Sequence, residues 1–117
     1  MTPGKETDEA LLRHIKEGIE RIQEYTGGDP ATFVGSHLVQ DAVIRNLQTL
    51  AESTQRLSDP IKASEPTIPW RDIAGFRNVL THGYLGLDTA LIWSVIEQDL
   101  PGLHASVERM LLRITTP

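Results

Sequence analysis

Val39-Gln40-Asp41-Ala42-Val43-Ile44-Arg45-Asn46-Leu47-Gln48-Thr49-Leu50-Ala51-Glu52-Ser53-Thr54-Gln55-Arg56-Leu57 carries apolar side chains at Val39, Val43, Leu47, Leu50 and Leu57, with Ala42, Ile44 and Ala51 widening the stripe. Steps of three, four and seven residues hold these side chains on one face of a helix and scatter them over both faces of a strand. The stretch therefore predicts an amphipathic helix of about 30 Å, the longest expected in the chain. Upstream, Leu11, Leu12, Ile15, Ile19 and Ile22, with Tyr25 at the margin, repeat the rhythm after Thr7 or Asp8 as N-cap. That helix stops at Thr26-Gly27-Gly28-Asp29-Pro30, where Asp29 and Pro30 read as the cap and first turn of a new start; Gly35 and Ser36 break or restart it.

Downstream, Pro60, Pro66 and Pro69 make residues 58–69 a connector with room for one short helical turn. Trp70, Ile73, Phe76 and Leu80, with Val79 beside them, resume helical spacing until Gly83 and Gly86. Asp88 is a good N-cap for residues 89–98, which present Leu91, Ile92, Val95 and Ile96. A last helix opens at Asp99 with Pro101 near its first turn and continues through Leu103, Val107, Met110, Leu111 and Ile114. No segment alternates as a strand would, and no internal repeat occurs. The fold class is all-α, a bundle of four to five helices, with residues 1–117 as a single domain and residues 1–6 flexible.

Composition narrows the function classes. The chain contains no cysteine, which removes disulfides and thiolate zinc sites and suits a reducing, cytoplasmic setting. No apolar run approaches the ~20 residues of a membrane span. The formal charge of −5 opposes non-specific nucleic-acid binding, which draws on a basic exterior. A local cationic site built from Arg71, Arg77 and Arg45 escapes that objection. His14, His37 and His104 are scattered without ligand spacing, so no metal site and no cofactor is expected.

Chemistry concentrates in Arg77-Asn78-Val79-Leu80-Thr81-His82-Gly83-Tyr84. The pattern R-x-x-x-x-H-x-Y arises by chance on the order of once in a few hundred chains of this length. Asn78 and His82 are four residues apart and share a helix face, whereas Arg77 and His82 diverge by about 140°. The glycines that follow suggest a helix loosening near His82, with its imidazole at the helix end and the long Arg77 stem reaching round. Asn78 is positioned to fix the imidazole tautomer. A histidine that titrates near neutrality suits proton transfer in either direction, and arginine offers a permanently charged fork for phosphate oxygens.

The surrounding text, Ile68-Pro69-Trp70-Arg71-Asp72-Ile73-Ala74-Gly75-Phe76 before the motif and Leu85-Gly86-Leu87-Asp88 after it, with Asp41 to Leu47, resembles the HepT family of HEPN-domain toxin ribonucleases over residues 36–114. The resemblance implies a HEPN-type bundle that forms a homodimer, an RNA substrate, and Arg77 and His82 as catalytic residues. It also implies that Tyr84 is the residue on which a cognate MntA-like nucleotidyltransferase antitoxin places AMP to silence the toxin. One departure stands out: the chain reads Ala51-Glu52-Ser53 where Gly-Glu-Ala is usual.

Simpler readings compete. Arg77 alone is most simply a surface residue, His82 can cap a helix C-terminus, and Tyr84 can be a half-buried packing residue. Trp70 and Trp93 sit in apolar helical contexts that favour core or dimer anchors over base-stacking platforms. The alternative function is a non-catalytic HEPN module that supports a partner nucleotidyltransferase, which the acidic charge favours.

Overall fold

The computed structural model describes the backbone of residues 3–82 and 88–117. Seven helices form among the described residues: α1 (Pro3–Thr26), α2 (Pro30–Val34), α3 (His37–Arg56), α4 (Asp59–Ala63), α5 (Trp70–His82), α6 (Thr89–Gln98) and α7 (Leu100–Thr115). Five are long and two are single turns, and no strand occurs among these residues, so the all-α bundle read from periodicity is what forms. α3 is its middle element. α1 lies along one flank of α3 and α5 along another, while α7 packs against α1 and α6. Leu12, Ile15 and Ile22 of α1 meet Val43 and Leu47 of α3, Ile96 of α6 and Met110 of α7 in one continuous core.

The breaks fall where the local chemistry demands them. Thr26 Oγ1 donates to the Ile22 carbonyl (3.0 Å) and accepts from Gly28 N (3.2 Å), closing α1. Gly27 and Gly28 then adopt φ of 60° and 74°, the left-handed region that only glycine enters without cost. Asp29 accepts from Ala31 N at 2.9 Å, Ser36 from Val39 N at 3.2 Å, and Asp88 from Ala90 N at 2.9 Å, so α2, α3 and α6 each begin on a side-chain cap.

Three expectations are corrected. α1 begins at Pro3, so neither Thr7 nor Asp8 is its N-cap. The buried Asp8 carboxylate instead accepts from Ser58 N (2.9 Å) and Ser58 Oγ (2.6 Å), tying α1 to the start of α4. α1, at 24 residues, also exceeds the 20 of α3, because helix formation extends upstream of the apolar stripe through Pro3–Glu6. Val79 and Leu91, read as part of apolar stripes, are exposed, at 47% and 53%. Each sits one residue, about 100° of rotation, from the side chain that is buried, Leu80 and Ile92. Of the stretch expected to be flexible, Met1 and Thr2 lie outside the described residues.

The connector into α5 is clamped electrostatically. Glu65 is buried, and its carboxylate receives Arg109 Nη2 at 2.7 Å and Arg113 Nη2 at 2.5 Å, both from α7. Trp70 Nε1 donates to the Lys62 carbonyl (3.0 Å), fixing the first residue of α5, so this indole is a packing anchor. The Arg109 hydrogen bond is the main influence that holds the Glu65 carboxyl down to about 2 from 4.5; burial opposes it, and Arg113 and Ser106 reinforce it. A depressed folded-state pKa gives stability that is present above pH 4.5 and is lost as pH falls toward 2. Urea midpoints measured across that interval should fall more for the native chain than for Glu65→Gln, which has no carboxyl to protonate. Parallel losses would show that the clamp does not contribute.

Candidate functional site

Residues Arg77 to His82 of the motif occupy the C-terminal half of α5, and local sequence explains why they sit there. Leu80 is fully buried against the bundle, which turns its neighbours outward: Arg77 is half-buried, and Asn78 and Thr81 are exposed. His82 is the last residue of α5. The helical backbone therefore runs unbroken from Arg77 to the motif histidine, and the glycines at which the helix was expected to end lie outside the described residues. The His82 side chain, and Gly83 to Leu87 with Tyr84 among them, lie outside the described residues.

A helix end leaves its last carbonyls without intrahelical donors. Here Gln48 Nε2 of α3 donates to the Leu80 carbonyl at 3.1 Å, two residues before His82. This bond fixes the end of α5 against the middle helix. Gln48 carries no motif and was not singled out by the sequence; its partner is 32 residues away, so no local spacing could reveal it.

The electrostatics of α5 are permissive for an anion. Among the described residues, ion pairs join Glu9 to Arg13, Glu17 to Arg21, His104 to Glu20 and Glu108, and Glu65 to Arg109 and Arg113. None of them engages Arg77, Arg71 or Arg45. Arg45 is exposed on α3, the helix that carries α5, and Arg71 is exposed in the first turn of α5. The fold thus sets Arg77 and Asn78 side by side on α5 with Arg45 on its supporting helix, and leaves Arg71 a helix length away from His82.

Beside α5 opens an apolar cleft of about 430 Å³. Its lining includes Ile73 and Phe76 of α5, Val95 of α6, Leu100 and Leu103 of α7, and Leu47 of α3. Trp93 packs on Phe33 with ring centroids 5.9 Å apart, which makes it a packing residue of the α2–α6 contact. Of the other histidines, His104 lies between Glu20 and Glu108 at 2.9 and 3.0 Å, His14 contacts Ser53, and His37 is exposed at the start of α3. Among the described residues no three His, Cys, Asp or Glu side chains are grouped to hold a metal ion. No helix among them is long and apolar enough to cross a membrane.

The sequence matches the family model described as Ribonuclease HepT-like over residues 15–110, a span containing the whole motif. A Thermococcus cleftensis protein named probable ribonuclease HepT is 33% identical over 107 residues, 91% of this chain and 97% of the relative. A Methanocaldococcus jannaschii protein provisionally named as the RNase MJ1380 is 31% identical over 100 residues, covering 85% of this chain and 92% of its own. In a second protein of that organism, MJ0434, whose name joins a gamma-glutamylcyclotransferase to a provisional RNase, identity is 35% over 101 residues, 86% of this chain but 46% of the relative. No solved structure gives a significant match. The intact motif at the end of α5, the helical bundle that carries it and a match spanning most of the residues together show that the chain belongs to the ribonuclease HepT-like family.

Proposed function

We propose that this protein is a metal-independent endoribonuclease, the toxin of a toxin–antitoxin pair, in which Arg77 and His82 are catalytic and Asn78 orients the imidazole. The observation that carries the reading is the family match over residues 15–110 with R-x-x-x-x-H-x-Y intact inside it. RNA supplies its own nucleophile. One histidine removes the 2'-hydroxyl proton as the oxygen attacks phosphorus, guanidinium groups hold the charge that grows on the phosphoryl oxygens, and an acid protonates the departing 5'-oxygen. The products are a 2',3'-cyclic phosphate and a 5'-hydroxyl.

One chain offers a single motif histidine, so base and acid together call for two copies. A two-fold homodimer that joins the α5 ends supplies both, with two Arg77 side chains between them. The apolar cleft along α5 supports that assembly, since a second copy would cover Ile73 and Phe76. In this reading Tyr84 is the control point: AMP attached by an MntA-like nucleotidyltransferase adds bulk and negative charge where the RNA phosphate must sit. The net charge of −5 favours a second reading, a non-catalytic HEPN module supporting such a nucleotidyltransferase.

Purified, unmodified protein incubated with total RNA in EDTA distinguishes the two. Cleavage that leaves cyclic-phosphate 3' ends is the expected result, with added nucleotidyltransferase and ATP adding AMP mass to the native chain and none to Tyr84→Phe. Intact RNA, with dimerisation confirmed, would turn the assignment to the non-catalytic module.

A further inference from the structure

A second cleft lies between α1 and α3 and is lined by no residue of α5. Thr7, Ala10, Leu11 and His14 recur at helical spacing on one face of α1 and meet Ser53 and Arg56 of α3 around an open volume of about 500 Å³. His14 Nδ1 lies 2.8 Å from the oxygen of Ser53, a side chain held in the interior. When that hydroxyl donates to Nδ1, the ring carries its proton on Nε2 and presents a donor there. Arg56 adds a permanent charge on a planar fork of N–H groups. Among the described residues, no carboxylate lines the cleft. Of the neighbouring α1 acids whose side chains are described, Asp8 is bound to Ser58 and Glu9 is paired with Arg13. In a chain of net charge −5, a cleft that sets the Arg56 guanidinium beside the His14 imidazole suits a phosphate group.

We propose that this cleft holds a backbone phosphate of bound RNA, several nucleotides from the phosphate that is cut. The proposal rests on the ribonuclease reading above. Its geometric support is α3. Arg45 and Arg56 are eleven residues apart, which on an α-helix is three turns, about 16 Å, on the same face. Both are exposed, and the Gln48 bond to Leu80 sets the C-terminal end of α5 beside the Arg45 end of that face. An RNA strand leaving the motif along the outer face of α3 therefore reaches Arg56 and His14. Glu52 is exposed on the same face between the two arginines and opposes such a strand, so its removal is a control of opposite sign.

The test uses the full chain with a 2'-O-methyl RNA oligonucleotide, which lacks the attacking hydroxyl, at several salt concentrations. In parallel, inorganic phosphate is titrated while the His14 ring resonances are followed by NMR. Phosphate should shift those resonances in the native chain and not in Arg56→Ala. Arg56→Ala should weaken the oligonucleotide about five-fold and lower the slope of log K against log salt by about one, while Glu52→Gln strengthens binding. Cleavage of ordinary RNA by Arg56→Ala should show KM raised far more than kcat is lowered. An unchanged affinity and slope in a folded Arg56→Ala chain would overturn the proposal. A His14 response to phosphate with no oligonucleotide bound by the native chain would overturn RNA as the source and leave a free-phosphate site. Failure of the ribonuclease reading is seen separately, as uncut ordinary RNA despite Arg56-dependent binding of the oligonucleotide.

Discussion

Replacing His82 by alanine is expected to slow RNA cleavage by roughly a hundred- to ten-thousand-fold, the range a positioned proton-transfer group supplies. The loss should appear in kcat, because the imidazole acts on protons that move only during the chemical step. Arg77→Ala should cost about a hundred-fold or more, and Arg77→Lys should recover only part of it, since an ammonium keeps the charge without the fork that matches two phosphoryl oxygens. Asn78→Ala should cost less, because in the proposed mechanism it orients the imidazole and takes no part in its chemistry. The measurement is single-turnover cleavage of one labelled RNA by native and variant proteins purified identically. Equal rates in the native chain and His82→Ala would mean that the cleavage belongs to a contaminant or to another site, and would end the assignment of the motif.

The second large effect concerns stability. Phe33 is fully buried although α2, which presents it, has only five residues. A helix that short has almost no stability of its own, so α2 exists because Phe33 packs into the core and against Trp93. Phe33→Ala removes the ring and leaves a cavity, at a cost of about 3–5 kcal/mol, a large share of the stability expected for a domain of this size. Urea denaturation should show a sharply lowered midpoint. Leu112→Ala, at a position 65% exposed on α7, should change stability by no more than about 0.5 kcal/mol. A similar midpoint for both variants would show that α2 does not anchor the bundle.

The division between what was legible and what was not follows from distance along the chain. The apolar stripes of α1, α3, α6 and α7 were legible because helical burial recurs within four residues. The end of α1 was legible because glycine, aspartate and proline act on their own backbone. The grouping of Arg77, Asn78 and His82 was legible for the same reason, since one helix carries all three. Asp8 was misread because a cap-forming residue before an apolar run looks the same whether it serves its own helix or another. Its actual partner is Ser58, 50 residues on.

The sequence by itself determined that the described residues form helices and no strand, where the long helices change direction, and that one helix carries an arginine, an amide and a histidine near its end. Those properties depend on backbone preferences and on periodicities shorter than two helical turns. Only the tertiary structure decided which helices touch and how each is rotated about its axis. That rotation brings Gln48 under the end of α5, sets two arginines of α7 on Glu65, and lays His14 against Ser53 in a cleft beside Arg56. Each contact joins residues 32 to 48 positions apart, and its partner is chosen by how the apolar faces interlock, a property of the whole core that no single stretch of the chain contains.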